Sequence, residues 1–436
     1  MTTGPADVRG MTMPPDPDDG GDDLTFDPVW DSRNVIGHIR DFGRARRASP
    51  LATLGAALRN VVAATPPHVV LPPIVGGYVA PNLFVAPCGR SGQGKDAANA
   101  AANAAVTIEG GVQVEFPNLG SGEGLARVFA GRGKGDNAVP GAEAAQIIAP
   151  EVRTLGALAG RSGATIDGEL LKGYMGQALG FTNAHAETTT AVPPLSYRLC
   201  MSVGVQPENV DFFTAREKDG FTQRWLFLPT IDADAPDERP DEPEPWTVTI
   251  PDFPKNDAAG HFHIIDVPTA IRDEIDRHRV LVLRGDPSVD PLHSHRMLTR
   301  LKVAFALAVL SNRPAIDADD WRLAGVLMDV SDVTFDGMRS VLADKRRREN
   351  QLRAEDAADR QAIVEARLVG NVQARVGQTI IAKLKRVESA TRADLRRAVR
   401  SNDRGEFDPV FEMFLDKQFI VCCGTTAGGV DEYRIA

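Results

Sequence analysis

The sequence predicts an α/β protein with a largely parallel sheet, and three observations support this prediction. Short apolar segments typical of buried strands alternate along the chain with segments of helical periodicity, which implies parallel strands with helices on both faces. A glycine-rich turn joins one of these strands to a helix. A charge-dense stretch then separates the last residues, which have a pattern of their own. At 436 residues the chain is long enough for two or three domains.

The strand, glycine turn and helix between residues 83 and 106 are the strongest single feature. Residues 83–86 predict a buried strand, residues 96–106 predict a helix, and residues 89–95 (GRSGQGK) fit the pattern G-x-x-x-x-G-K. In such a turn, glycines let backbone N–H groups approach phosphates, the lysine reaches the β and γ oxygens, and the helix N-terminus adds its dipole. The alternative is a turn that binds nothing. The pattern predicts a P-loop that binds ATP through Gly89, Arg90, Ser91, Gly92, Gln93, Gly94, Lys95 and Asp96.

Composition excludes several classes of protein. No apolar run is long enough to span a membrane, and the N-terminus does not resemble a signal peptide. The four cysteines lack metal-ligand spacing, so we expect a reducing, cytoplasmic location. The net charge of −10 means that any surface for nucleic acid must be a local basic patch.

Patterning divides the chain into six predicted segments. They are an acidic, disordered tail (1–27), a helical N-terminal segment (28–75), a P-loop core (76–260), a helical lid (261–345), a charged helical linker (346–375) and a winged helix (376–436).

Two basic clusters are candidates for contact with nucleic acid. Arg44, Arg46 and Arg47 follow a predicted helix; a solvated helix end is the favoured interpretation, and contact with a phosphate backbone is the alternative. Residues 231–258 are acidic and proline-rich around a predicted short strand at 246–250, and we expect them to form a surface excursion. In the predicted winged helix we expect DNA to contact four arginines. The alternative is a protein-contact module, because the third helix of this domain carries more acid than base. These arginines are Arg392, Arg396, Arg397 and Arg400.

Hydrolysis of ATP also needs a carboxylate on a neighbouring strand to polarise water, and an acid to hold Mg²⁺. Glu151 ends the predicted strand 145–149 and is the candidate for the first role. Glu115 and Glu123, near the end of another predicted strand, are the alternatives.

The chain resembles the ATPase domain of unknown function found in primase–helicase proteins of actinobacterial prophages, plasmids and integrative elements. The resemblance runs from about residue 30 to residue 331 and depends on several blocks in order. The blocks are NLFVAPCGRSGQGK, LGSGEGL, PEVRTLGAL, LLKGYMGQALGF, YRLCMSVGVQPENV, GFTQRWLFLP and DWRLAGVLMDVSD.

The resemblance implies a RecA-type or AAA+-type motor that assembles into rings and moves on DNA. It assigns Lys95 to the phosphates, Glu151 to the glutamate of an Asp-Glu pair, and Gln206 to a polar sensor at a strand end. It also implies that Arg224 reaches the γ-phosphate of a neighbouring subunit. All four residues are therefore candidate catalytic residues.

Two positions depart from the family pattern, and both concern Mg²⁺. Pro150 replaces the aspartate before the glutamate, and Asp96 replaces the small or hydroxylated residue after the lysine. Our hypothesis is a swap, in which Asp96 supplies the metal carboxylate that Pro150 has lost. The competing interpretation is a degraded motor that binds nucleotide but hydrolyses it slowly, because a carboxylate beside the phosphates adds repulsion.

Together these features predict an ATP- and Mg²⁺-dependent DNA motor, a ring-forming helicase or replication ATPase of a mobile genetic element. Its expected partners are single-stranded or duplex DNA, further copies of the chain, and replication proteins of the host or element. The alternative is a non-translocating initiator or helicase loader that binds DNA under ATP control. A third reading is a nucleotide-binding protein whose tail contacts other proteins.

Overall fold

The structure is a computed structural model that describes residues 27–131, 139–161, 164–181, 190–289 and 295–436. The predicted disordered tail therefore lies outside the described residues except for Asp27. The chain divides into two compact units, residues 1–345 and residues 346–436. Among the described residues, no helix is long and apolar enough to cross a membrane.

The helices are numbered in chain order. Those of the first unit are α1 (Asp27–Trp30), α2 (Asn34–Ala45), α3 (Pro50–Ala63), α4 (Lys95–Ala105), α5 (Gly122–Ala130), α6 (Val152–Ala159), α7 (Ile166–Met175), α8 (Asp211–Thr214), α9 (Thr269–Arg284), α10 (Arg296–Leu310) and α11 (Ala318–Leu384), which also supplies residues to the second unit. The second unit adds α12 (Arg392–Ala398) and α13 (Phe407–Asp416).

The strands are β1 (Val69–Val70), β2 (Phe84–Cys88), β3 (Val106–Glu109), β4 (Val114–Glu115), β5 (Ala144–Ala149), β6 (Leu179–Phe181), β7 (Thr190–Val192), β8 (Arg198–Val203), β9 (Trp225–Pro229), β10 (Trp246–Thr249) and β11 (His263–Ile264) in the first unit. The second unit contains β12 (Ala390–Thr391), β13 (Ile420–Thr425) and β14 (Asp431–Ile435).

A five-stranded, all-parallel sheet in the order β4-β5-β8-β2-β9 forms the centre of the first unit. Alternate residues of β2 serve opposite faces, as the two-residue period of a strand requires. Leu83 and Val85 pack in one hydrophobic cluster, whereas Phe84 and Ala86 pack in the other. The predicted α/β class with a largely parallel sheet is confirmed.

The two faces are covered by different helices. Ala102 and Ala105 of α4 pack in the same cluster as α3, while Leu125 of α5 and Leu155 of α6 belong to the cluster on the other face. After β2 the chain passes through α4 on one face and reaches the edge strand β4. It then returns towards β2 through β5 and β8, with α5 and α6 on the other face, so the direction of winding changes after β2. In open parallel sheets, ligands bind at the carboxyl ends of strands where the direction of winding changes. The end of β2 is such a position.

The short strand predicted at 246–250 is present as β10, but the second half of the segment 231–258 is not the surface excursion that the sequence predicted. β10 pairs in parallel with β3, and Val248, Ile250 and Phe253 are buried in the α3 cluster. Local composition did not indicate this because the partner strand lies far away in sequence. The first half, up to residue 245, has no regular helix or strand.

The N-terminal helices and the predicted lid share one hydrophobic cluster with the sheet. Leu54 of α3, Phe305 of α10 and Leu327 of α11 are buried in the same cluster as Val85. Lys302 of α10 is fully buried, and its Nζ donates to the backbone oxygen of Asn82 at 3.1 Å and to that of Tyr174. Burial lowers the pKa of Lys302 well below its ordinary value.

The second unit has its own small core. Val376 and Ile380 of α11 pack with Leu395, Phe407 and residues of the hairpin. The three strands form an antiparallel sheet in the order β12-β14-β13. Thr391 caps α12, because its hydroxyl accepts a hydrogen bond from the backbone N–H of Asp394.

Candidate functional site

The glycine turn leaves the carboxyl end of β2 and begins α4. The N–H of Gly89 donates to the backbone oxygen of Val205 at 2.9 Å, which fixes the start of the turn against the chain beyond β8. A Cβ at Gly89 would lie 1.8 Å from Oγ1 of Thr230, so only glycine fits there. Gly92 and Gly94 have φ values of 82° and 73°, a region that glycine adopts without steric cost. The sequence folds into this turn because glycine occupies each constrained position.

Lys95 reaches back across the turn. Its Nζ donates to the backbone oxygens of Gly89 and Arg90, both at 3.0 Å, and the side chain is half-buried. The ammonium group is therefore held at the mouth of the turn, where an anion would meet it. Gln93 closes the turn from the other side, since its Oε1 accepts the N–H of Arg90 at 2.5 Å.

The first turn of α4 has the properties of an anion site. Gly94 is the N-cap residue and provides no side-chain cap, whereas Ser121 caps α5 through its hydroxyl. Helix N-termini leave unsatisfied N–H groups and a partial positive charge, which together favour phosphate. Ser91 and Gly92 form the exposed part of the turn. The predicted phosphate-binding residues are thus contiguous and accessible.

Glu151 and Gln206 meet at the carboxyl ends of the strands, where the glycine turn also leaves β2. Glu151 follows β5, Gln206 follows β8, and Nε2 of Gln206 donates to Oε1 of Glu151 at 3.1 Å. Asn209 donates to Oε1 of Gln206 at 2.9 Å and accepts from Nε of Arg153 at 3.0 Å. This chain of hydrogen bonds orients the exposed carboxylate of Glu151. The sequence predicted both ends of the pair but not the supporting residues.

Gly204 brings the strand ends and the lysine into contact. A Cβ at Gly204 would lie 2.0 Å from the backbone oxygen of Pro150 and 3.3 Å from Cδ of Lys95. The N–H of Gly204 donates to Ala149 at 3.0 Å, and its oxygen accepts from Val152 at 2.8 Å. The aliphatic part of Lys95 therefore lies beside the backbone that precedes Glu151. Gly204 was not among the predicted site residues, although a glycine inside a predicted strand, here 199–205, is a signal of close backbone approach.

Asp96 is exposed in the first turn of α4, directly after the lysine. Within the described ranges its carboxylate has no hydrogen-bond or ion-pair partner, and no group of three or more His, Cys, Asp or Glu side chains could hold a metal ion alone. A magnesium ion that accompanies a nucleotide takes one or two carboxylates and completes its shell with phosphate oxygens and water. A carboxylate next to the candidate phosphate-binding turn fits that requirement, and Pro150 cannot contribute to it.

Arg224 lies at the amino ends of the parallel strands, opposite the carboxyl ends where the glycine turn lies. It directly precedes β9, whose first residue pairs with Phe84 at the start of β2, whereas the glycine turn follows the end of β2. The guanidinium donates to the backbone oxygen of Gly220 and lies 5.9 Å from the ring centre of Tyr174. Burial lowers the pKa of Arg224. The structure therefore does not bring Arg224 to the turn of its own chain, and a role at a neighbour's nucleotide stays a prediction.

The alternative carboxylates do not join Glu151. Oε1 of Glu123 accepts from Thr165 at 3.0 Å. Hydrogen bonds from its own backbone N–H, from Ser121 and from Thr165 lower the pKa of Glu123. Glu115 ends β4 at the edge of the sheet, and its carboxylate accepts from Gln113 at 3.3 Å.

The arginines of the second unit are largely engaged by acids. Arg392 pairs with Asp408 at 2.9 Å and with Glu412 at 2.8 Å, both on α13. Arg396 lies 3.5 Å from Asp408. The remaining two positions differ: Arg397 pairs with Asp394 at 2.6 Å, and Arg400 is exposed.

Comparisons with known proteins add no family to this geometry. No protein-family model matches the chain, and no curated protein is significantly similar to it.

Proposed function

We propose that the chain is an ATP-dependent DNA motor, a ring-forming helicase or replication ATPase of a mobile genetic element. The observation that supports this most directly is the convergence of Lys95, Glu151 and Gln206 at the carboxyl edge of one parallel sheet. A lysine held over a glycine turn and a carboxylate oriented beside it are what phosphoryl transfer to water requires. The resemblance to mobile-element primase–helicases supports DNA as the track.

In this proposal each residue has a distinct task. The turn and the first turn of α4 bind the phosphates through backbone N–H groups, and Lys95 exchanges its carbonyl partners for phosphate oxygens. Glu151 orients and polarises the attacking water, and Gln206 fixes the carboxylate through its amide. Mg²⁺ held by Asp96 and the phosphates would neutralise charge that develops on the oxygens. Arg224 of a neighbouring subunit would add positive charge at the γ-phosphate.

Replacing Asp96 with serine discriminates between the two explanations of this unusual position. If Asp96 replaces the metal ligand lost at Pro150, Asp96→Ser lowers turnover by about tenfold or more and raises the Mg²⁺ concentration needed for half-maximal rate. A magnesium titration of steady-state hydrolysis measures both values. A faster variant with an unchanged magnesium requirement would show instead that Asp96 only repels the phosphates.

ATP hydrolysis measured without DNA, with single-stranded DNA and with duplex tests the motor itself. A translocating ring is expected to hydrolyse ATP faster on single strands. Preference for duplex without added turnover would favour the initiator or helicase loader. No turnover above background with ATP and Mg²⁺ would contradict both the motor and any other ATPase assignment for the turn.

A second candidate function is a nucleotide-controlled protein whose C-terminal unit contacts other proteins. The observation in its favour is that the predicted DNA contacts Arg392 and Arg396 are paired with Asp408 of α13. In a winged helix the corresponding third helix usually enters a DNA groove, and carboxylates there repel phosphates. Residues 376–436 supply the helices and hairpin of such a domain, so the tail serves DNA in the first proposal and protein in the second.

A further inference from the structure

A cluster of arginines at the C-terminal end of α2 binds an acidic segment of the same chain. The basic cluster consists of Arg44, Arg46 and Arg47. The acidic strap consists of residues 231–245, between β9 and β10, and contains seven carboxylates, four prolines and one arginine. Neither function proposed above accounts for this pairing.

Arg44 anchors the start of the strap. Its Nε and Nη2 bind the two carboxylate oxygens of Asp232 at 2.8 and 3.0 Å, a bidentate arrangement. The side chains are only 20% and 14% exposed. Hydrogen bonding to Asp232 raises the pKa of Arg44, so the guanidinium keeps its charge.

The other two arginines hold later parts of the strap. Arg47 donates to the backbone oxygen of Asp237 at 2.9 Å and to that of Pro236. Arg46 donates to Oε1 of Glu242 at 2.6 Å, and this pair is 50% and 41% exposed. The strap therefore contacts Arg44, Arg47 and Arg46 in that order, half-buried at its first contact and open to solvent at its last.

We propose that the basic cluster is a binding site for single-stranded nucleic acid and that the acidic strap covers it in the free protein. The strap is an extended, non-helical polyanion, which is also the physical description of a nucleic-acid single strand. One backbone hydrogen bond, from the N–H of Ala235 to the oxygen of Asp232 at 3.3 Å, closes a turn at its start, and four prolines keep the rest from forming a helix. Its seven carboxylates exceed the three arginines and its own Arg239, so the strap keeps a net negative charge even when it covers the cluster.

The cluster lies near the candidate nucleotide site. The strap begins directly after Thr230, whose Oγ1 donates to the backbone oxygen of Cys88 at 3.1 Å, one residue before the glycine turn. Oγ of Ser49, which follows the cluster, donates to Pro229 at 2.8 Å. A nucleic-acid strand bound to the basic cluster would pass the carboxyl end of the sheet, near the glycine turn and Lys95. The proposal rests on the proposed function only in taking nucleic acid as the polyanion, and it requires no hydrolysis.

The strap is held weakly at its later, exposed end. The pair of Arg46 and Glu242 is about half exposed, and such pairs contribute little and are screened by salt. Each phosphate contact with a single strand adds about 0.7 to the slope of log affinity against log salt, because counterions leave the strand. A nucleic-acid strand that contacts several arginines therefore displaces the strap from this end first.

Binding of labelled oligodeoxythymidylate, measured by fluorescence anisotropy without nucleotide, tests the proposal. The double variant Asp232→Asn, Glu242→Gln should bind about tenfold more tightly than the natural chain, with a salt slope about two steeper. Adding Arg44→Gln, Arg46→Gln and Arg47→Gln to that variant should remove the gain. A matched control is Asp273→Asn, Asp276→Asn on α9, which changes the net charge equally at two exposed acids.

Equal affinity of the strap variant and the natural chain, or an equal gain in the α9 control, would overturn the proposal. Should the double variant fold poorly, Glu242→Gln alone changes only the exposed pair and should tighten binding about twofold. A peptide of residues 231–245 should compete with the oligonucleotide for the strap variant. The gain should persist in a Lys95→Ala background, so that failure of the ATPase proposal and failure of this one are separate results.

Discussion

Lys95→Ala should reduce ATP turnover by at least about a hundredfold and weaken nucleotide binding. Among the described residues, Lys95 is the only side-chain cation that donates hydrogen bonds to the glycine turn. Both bonds go to backbone oxygens of that turn. Loss of one preorganised charge donor at a phosphoryl group typically costs a factor of 10² to 10³. Single-turnover and steady-state hydrolysis, with fluorescent-nucleotide binding, measure the two effects.

The exposed lysine Lys255 lies outside the turn and provides the matched control. Lys255→Ala should leave both values unchanged. The fold should survive in Lys95→Ala, since the side chain is only half-buried and packs beside a backbone that Gly204 already positions. Turnover within threefold of the natural chain would reject the assignment of this turn as a phosphate site.

Glu151→Gln should abolish turnover while nucleotide still binds. The amide keeps the shape of the side chain and can still bond to Gln206, but it cannot polarise water, so we expect a loss of about 10² to 10⁴ in turnover. Binding of nucleotide should change little, because Glu151 belongs to the strand-end pair rather than to the turn. Trapping of bound ATP in a filter or gel-filtration assay checks this separation.

Glu115→Gln and Glu123→Gln are the comparison variants, and each should retain most of the activity. Glu123 bonds to Thr165, and Glu115 lies at the edge strand. A variant of either residue that loses turnover while Glu151→Gln keeps it would move the catalytic carboxylate to the β4 edge. Gln206→Ala should lie between these extremes, because it removes only the orienting hydrogen bond.

The predictable parts of the site are those encoded by neighbouring residues. The glycine turn, Lys95 and Asp96 are contiguous, so strand, turn and helix could be predicted from pattern alone. Glu151 was predicted from its place after a predicted strand and Gln206 through a family resemblance, but their hydrogen bond depends on β5 and β8 being neighbours. Strand order is a property of the whole sheet and leaves no local signal.

Long-range pairing also explains what sequence reasoning missed. The pairing of β10 with β3 joins segments more than a hundred residues apart, and neither strand shows its partner in its own composition. The basic cluster was expected to be a solvated helix end, yet Arg44 is half-buried against Asp232. Charge alone cannot distinguish a solvated arginine from a paired one when the acid arrives from a distant loop.

Lys302 has a consequence for motion. An α10 helix that moved away from β2 would leave a buried amine and two backbone oxygens without partners, at about 1–3 kcal/mol for each group. The helices expected to act as a lid are thus fastened to α7 and to the backbone just before β2 rather than hinged on them. In the proposed ring, energy from a bound nucleotide would then appear as a rigid rotation of whole subunits against one another, stored at their shared boundaries.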